Sequence, residues 1–408
     1  MYDWNYFENL PGVHPIADAN NLVHGFRAAR KGSHWKGQVQ RFRWNMLSEV
    51  RKLQKELMAF LYGDRGAYEL SPYSKFFVNE RGKIRAITAL SIRDRVVKHV
   101  LNDLYLIPHI RPHLIYDNGA SLKGKGVSFT RNRLLAHLQQ FWRETGSNDG
   151  YILCMDFSGY YDNIDHRKAM EMIRKYEPDY FARKLVLQAL DSYRVDVSWM
   201  DKEQFTLANQ LRFSMVAYRK ENHPEGGIKF LNRSLSVGDQ TSQITAIAFP
   251  TPIDTLVKTV LGCRFYARYM DDLYVIARTK DELRMVRDRI IEAARKLKIF
   301  INHKKTQICK LDRTFTFMKY KCYLKQDGVV VVRMNKESVT RMRRKLRRLA
   351  GRVRKGLTRQ IKVTEMFRSW IGNYAGILSN LQCSHIVELY RSLFGGELDK
   401  WMKLRAIM

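Results

Sequence analysis

Apolar residues in the first stretch of the chain recur at helical spacing. Leu22, Phe26 and Ala29 fall on one stripe, and the run from Trp44 to Leu53 continues the pattern. Between them Lys31-Gly32-Ser33-His34-Trp35-Lys36-Gly37 reads as a basic loop. The period changes over residues 73–90, where Tyr73–Asn79 and Ile84–Leu90 predict two strands joined by a turn at Glu80-Arg81-Gly82-Lys83. Ile92, Val96, Val100 and Leu104 then predict a helix ending before Pro108. Tyr151–Met155 predicts a short strand that stops at Asp156, and Asp165 is a good cap for a following helix. Ser236-Val237-Gly238-Asp239 reads as a turn before a helix of small and apolar residues. Phe265–Met270 and Leu273–Ala277 predict two strands meeting at Asp271-Asp272. Leu283, Val286, Ile290, Ala294 and Leu297 share one side of an amphipathic helix. After Asn335 the pattern is helical and basic. Helices and strands alternate without a regular βαβ rhythm, and no repeat is present, so the expected class is α+β.

Composition adds a partner. The 408 residues, 45% hydrophobic, suffice for two or three subdomains. Lys and Arg number 72 against 40 Asp and Glu, a formal charge of +32. The positive residues run through the whole chain among aromatics rather than forming a tail. That balance points to a polyanion, with nucleic acid first. The five cysteines (Cys154, Cys263, Cys309, Cys322, Cys383) form no C-x-x-C pair, which argues against a disulfide framework or zinc site and fits a reducing cytoplasm. The opening MYDWNYFENLPG lacks the pattern of a signal peptide, and no apolar run approaches a membrane span. A soluble, cytoplasmic protein is expected.

The chemistry gathers on carboxylates. Tyr269-Met270-Asp271-Asp272 puts two like charges side by side at an apolar hairpin, which is costly unless a cation neutralises them. On the dipeptide alone, a solvated turn is as good a reading. Asp156 ends a strand that reads as buried, where a lone carboxylate is expensive. Together these residues could hold hard cations. Two Mg²⁺ ions about 4 Å apart would clamp the attacking and leaving oxygens of a nucleotidyl transfer.

In this order the motifs resemble the palm of reverse transcriptases. They are Asp156-Phe157-Ser158-Gly159-Tyr160-Tyr161-Asp162-Asn163-Ile164-Asp165-His166, Gly238-Asp239-Gln240-Thr241-Ser242-Gln243, and the Tyr-Met-Asp-Asp hairpin. Lys304-Lys305-Thr306 and Phe315-Thr316-Phe317-Met318-Lys319-Tyr320 follow. The resemblance covers residues 72–325 and implies a right-hand polymerase with an antiparallel palm sheet and a helical thumb. The implied parts are an N-terminal helical region (1–70), fingers (71–150), a palm with catalytic motifs and primer grip (151–333) and a basic thumb (334–408).

It also implies roles. Asp156, Asp271 and Asp272 would be catalytic and hold two Mg²⁺ (or Mn²⁺), with the Phe157 carbonyl adding a ligand. Lys305 matches the motif lysine that protonates pyrophosphate, though Lys304 beside it leaves the choice open. Tyr161 falls at the steric gate that selects dNTPs. Lys75, Lys83 and Arg85 lie on the hairpin that holds the triphosphate, and Gly238, Ser242 and Gln243 belong to the same nucleotide site. Phe317, Met318, Lys319 and Tyr320 form the primer grip. Arg341, Arg344, Lys345, Arg348 and Arg352 line a cationic helix whose apolar stripe is Leu346, Leu349 and Val353, suited to the template–primer backbone. Ser369-Trp370-Ile371-Gly372-Asn373-Tyr374 resembles a later thumb helix, with Trp370 in its core.

Two departures from the family pattern stand out. Val237 precedes Gly238 in place of the usual Gln, and Ser242-Gln243 replaces Ser-Pro. Lys319 stands where the primer grip often has Gly. The first resembles diversity-generating retroelement enzymes and the related defence-associated ones. The stretch Asn118–Gly126 departs from the diversity-generating type, so the chain looks closest to class-two antiviral reverse transcriptases. That implies copying a structured non-coding RNA into DNA in antiphage defence, with dNTPs as substrates and no residues left for an RNase H, integrase or HNH nuclease. The alternatives are a diversity-generating reverse transcriptase and a catalytically silent RNA-binding scaffold. Tyr161 and the Tyr-Met-Asp-Asp form argue against an RNA-dependent RNA polymerase.

Overall fold

The computed structural model describes residues 12–80, 83–212, 228–374 and 377–395. The leader reading of the first residues and the centre of the Glu80–Lys83 turn lie outside them. The chain divides into two compact units, residues 1–133, 155–273 and 284–306, and residues 134–154, 274–283 and 307–408.

The first unit opens with helices Ala19–Ala29, Gly37–Trp44 and Met46–Tyr62. Asp18 caps the first, accepting from the Asn21 N–H at 3.0 Å. Leu22, Phe26 and Ala29 are buried, as their spacing predicts. A Cβ on Gly25 would sit 2.8 Å from Val96 O and from Val100 Cγ2, so glycine permits the close crossing with helix Ile92–Leu101.

That helix corrects an expectation. It does not stop before Pro108 but widens into a π turn at Asn102–Leu106 and continues as Ile107–Ile110. The Ile107 N–H reaches back five residues to Asn102, and Pro108 enters in the first turn of the new segment, where its missing N–H costs little. The wider turn shifts the stripe: Leu106 and Ile110 are buried, while Leu104 is 42% exposed.

Ahead of this helix, strands β1 (Ser74–Glu80) and β2 (Lys83–Ala89) form an antiparallel hairpin, with Lys75 opposite Thr88 and Val78 opposite Arg85. Beyond it come β3 (Tyr151–Asp156), the two-residue pair β4 (Val195–Asp196) and β5 (Phe230–Leu231), β6 (Tyr266–Tyr269), β7 (Asp272–Ala277) and β8 (Gln307–Lys310). In the second unit β3 runs antiparallel to β8, with Tyr151 opposite Lys310. Ile152–Met155 and Leu273–Ile276 are buried without alternation, the mark of strands covered on both faces. Helix His166–Tyr176 starts at Asp165, whose carboxylate accepts from Lys168 N at 3.0 Å. Helix Lys280–Lys296 buries Leu283, Val286, Ile290 and Ala294.

The second unit carries a three-stranded sheet of β9 (Phe315–Phe317), β10 (Tyr320–Leu324) and β11 (Val330–Met334), followed by helices Lys336–Arg354, Gln360–Tyr374 and Asn380–Phe394. The buried row of the first helix is Val339, Met342, Leu346 and Ala350. Leu349 and Val353, expected in that row, are only half-buried, because the i, i+3, i+4 path from Val339 passes through Met342 and Ala350 instead. Trp370 is half-buried between Phe367 and Tyr374.

Candidate active site

Three segments of the first unit meet at Asp156. The strand end is tied to the hairpin turn by the Phe157 N–H, which donates to Asp271 O at 3.0 Å. Met270 takes φ +53°, so the turn is made by a left-handed residue and Asp272 opens β7. From the third segment Asn302 N–H donates to Asp156 O at 2.8 Å and Asn302 Nδ2 to Asp156 Oδ1 at 2.9 Å. Lys305 Nζ donates to Asp156 Oδ2 at 2.7 Å. Asp156 itself is buried.

Electrostatics reports the convergence. Burial lowers the Lys305 pKa, but its hydrogen bond to Asp156 and the charges of Asp156, Asp272 and Asp271 outweigh that and raise it. Tyr161, half-buried, has its hydroxyl pushed up by burial first and then by Asp271, Tyr269 and Asp239. Tyr269 is pushed up by burial and by Asp271 and Asp272. A negative field therefore fills the space between strand end and hairpin, and a lysine ammonium answers it. Hard carboxylate oxygens of this kind suit Mg²⁺. Among the described residues, however, no group of three His, Cys, Asp or Glu side chains is close enough to hold a metal ion.

The Gly238 loop is shaped by its neighbour strand. Gly238 has φ +118°, and a Cβ there would meet Thr88 O at 3.0 Å. The Thr88 N–H donates to Val237 O at 3.2 Å, so Val237 ties the loop to β2 through its backbone. Asp239, fully buried, caps helix Gln240–Ala248, accepts from Tyr193 Oη and has Lys98 Nζ 3.7 Å away. Ser242 is buried within this helix, whereas Gln243 is exposed.

The structure separates other expected groups. Lys75 and Arg85 are both exposed but occupy opposite faces of their hairpin by its register, so they do not form one cluster. Arg85 shares its face with Ile87, whose Cγ2 lies 3.5 Å from the Cβ position of Gly238. Lys83 keeps its place opposite Glu80, while its side chain lies outside the described residues. In the second unit Phe317 and Tyr320 are buried and face each other across β9 and β10, with Phe317 edge-on to Tyr274. Met318, at φ +55°, and exposed Lys319 make the turn between them. The outer residues of the expected primer grip thus hold the hairpin, and only its turn can meet a ligand. Arg341, Arg344, Lys345, Arg348 and Arg352 are all exposed along one helix. Among the described residues Arg344, Lys345 and Arg348 have no anionic partner.

Sequence reasoning missed Arg268. It is fully buried, with Nε 2.9 Å from Asp254 Oδ1 and Nη2 2.6 Å from Asp254 Oδ2. Its Nη2 also donates to Ile247 O at 2.8 Å, and Nη1 donates to Met270 O at 3.1 Å, the carbonyl just before Asp271. Asp254 accepts from Tyr266 Oη as well. The signal available was an arginine in the middle of an apolar strand, which requires a buried partner. Asn302 gave no such signal.

The profile of the family described as reverse transcriptase (RNA-dependent DNA polymerase) matches residues 77–322. No curated protein matches the sequence. Among solved structures, apo telomerase from Candida Tropicalis, truncated from its C-terminal domain, aligns with 14% identity and a TM-score of 0.43. The alignment covers 72% of this chain and 60% of that one.

Proposed function

The chain belongs to the reverse transcriptase family, and from that premise we propose that it copies a structured non-coding RNA into DNA in antiphage defence, with Asp156, Asp271 and Asp272 as catalytic carboxylates. The observation that carries the site assignment is the meeting of Asp156, the Asp271 turn and Lys305 at one point. Fingers, palm and thumb correspond in this reading to residues 71–150, 151–333 and 334–408.

Asp156, Asp271 and Asp272, with the Phe157 carbonyl, would hold two Mg²⁺ only when drawn closer together than they stand here; ions so held would supply the charge that activates a primer 3′-hydroxyl and stabilises departing pyrophosphate. The protein residues do the rest. Lys305, whose ammonium stands on Asp156, would deliver its proton to the pyrophosphate oxygen. Tyr161 closes the sugar pocket against a 2′-hydroxyl. Arg85 takes the triphosphate, favoured over Lys75 because it shares the hairpin face with the Gly238 loop. Gln243 is the exposed side chain of that motif and the one able to reach a nucleotide. Met318 and Lys319 meet the primer, and Arg341, Arg344, Lys345, Arg348 and Arg352 neutralise backbone phosphates.

The test starts from purified protein and its co-purifying RNA, which is sequenced and then supplied with Mg²⁺ and labelled dNTPs. DNA complementary to one discrete RNA, absent with Asp271→Ala, is the expected result. Products matching many unrelated RNAs would remove the dedicated template. In cells, phage resistance that survives deletion of the neighbouring RNA gene would remove the defence role. Template and variable repeats beside the gene would instead favour the diversity-generating reading, which the Val237 and Ser242-Gln243 variant also suits.

A further inference from the structure

The basic loop and short helix near the N-terminus take no part in the site above. From Ala19 to Ser48 the chain has no Asp or Glu but carries Arg27, Arg30, Lys31, Lys36, Arg41 and Arg43. Helix Gly37–Trp44 buries only Val39 and Phe42, and Phe42 stacks on Phe26 with centroids 4.8 Å apart. At 100° per residue, Gln40, Arg41 and Trp44 fall on the side opposite that anchor. Trp44 is 76% exposed, and Trp35, just before the helix, is 67% exposed with Lys36 Nζ 5.8 Å from its ring centroid. Tryptophan is ordinarily among the more buried residues, so two open indoles within ten positions need a reason. Lys31, Lys36, Arg41 and Arg43 are exposed and have no anionic partner among the described residues.

We propose that Trp35 and Trp44, with Lys31, Lys36, Arg41 and Arg43, form a second nucleic-acid site that stacks and holds an unpaired strand of RNA. Indoles stack on any base face, while unpaired cations neutralise the backbone, the two parts of a sequence-tolerant single-strand site. A protein partner would have to be strongly acidic to satisfy the same surface. The identity of the strand as template RNA rests on the reading above; the stacking site does not.

Full-length wild type and Trp35→Ala/Trp44→Ala are titrated with fluorescein-labelled U20 RNA by anisotropy, and both are assayed for dNTP incorporation on a short pre-annealed template–primer. The expected result is U20 binding weakened on the order of tenfold or more, with incorporation on the short duplex unchanged. Trp35→Tyr/Trp44→Tyr should recover most of the affinity, because a stacking ring remains. Unchanged U20 affinity overturns the proposal. So does a parallel loss of incorporation on the short duplex, which would make the surface part of the template–primer path. Wild type that binds U20 but incorporates nothing would count against the polymerase reading and leave this site standing.

Discussion

Two β-hairpins carry most of the expected chemistry, and they could hardly differ more in their surroundings. The hairpin of β6 and β7 is sealed: Tyr266, Ala267, Arg268, Leu273, Tyr274 and Val275 are fully buried. The hairpin of β1 and β2 stands open, with Phe76, Phe77 and Val78 exposed at 48%, 75% and 41%. Packing holds the strands of the first, and donors from Arg268 and Phe157 to Met270 O and Asp271 O hold its turn. The second is fixed by its own ladder and by the Thr88–Val237 contact at its root. A hairpin that must hold carboxylates at one point suits the first arrangement; one that must adapt to what it meets suits the second.

The sharpest break of this comparison is Asp156→Asn. The Asn302 contacts remain possible, while the charge facing Lys305 and the hairpin turn is lost. DNA synthesis should fall on the order of 10²–10³-fold or more, with the thermal transition kept. A mutant retaining a tenth of wild-type kcat would move catalysis away from this strand end.

Arg268→Met comes next. It leaves Asp254 buried without its partner, a loss of about 3–5 kcal/mol by analogy with other broken buried pairs. Arg268→Met/Asp254→Leu should recover much of that stability in denaturant titration. It should not recover kcat, because the donor to Met270 O is still missing. Full recovery of kcat in the double variant would show that Arg268 only pairs a charge and does not set the turn.

The same contrast explains what the sequence could and could not show. Strand, turn and cap positions followed from local chemistry, so β1, β2, β3, β7 and the Asp165 cap appear where apolar runs, turn residues and a capping oxygen predict them. Motif order located Asp156, Asp271 and Lys305, which the fold brings together. Three things were not local. The π turn at Asn102–Leu106 depends on packing that shifts the stripe from Leu104 to Leu106. The division of Lys75 from Arg85 depends on ladder register, which a list of cations does not contain. The roles of Arg268 and Asn302 depend on partners 14 and 146 residues away. Phe317 and Tyr320 show the opposite limit, where a motif marks a hairpin correctly but does not say which of its residues face inward.

Gly238→Ala probes the close backbone approach between the open hairpin and the Gly238 loop. The new Cβ would press on Thr88 O at 3.0 Å in a backbone conformation unfavourable to alanine, a strain of about 1–3 kcal/mol. If the contact sets the nucleotide site, KM for dNTP should rise more than kcat falls. A change confined to thermal stability would make the loop merely structural.

The smallest effect should come from the open hairpin's own exposed apolar residues, and it carries the comparison in its strictest form. Phe77→Ser removes a side chain that is 75% exposed, so stability should change by no more than about 0.5 kcal/mol. Leu273→Ala, in the sealed hairpin, should cost about 2–5 kcal/mol, because it opens a cavity at a fully buried position. Chemical denaturation of the two variants checks this directly. Near-equal costs would mean that the open hairpin is packed in solution against something that its exposed phenylalanines already fit, and the distinction between a fixed and a free hairpin would fall with it.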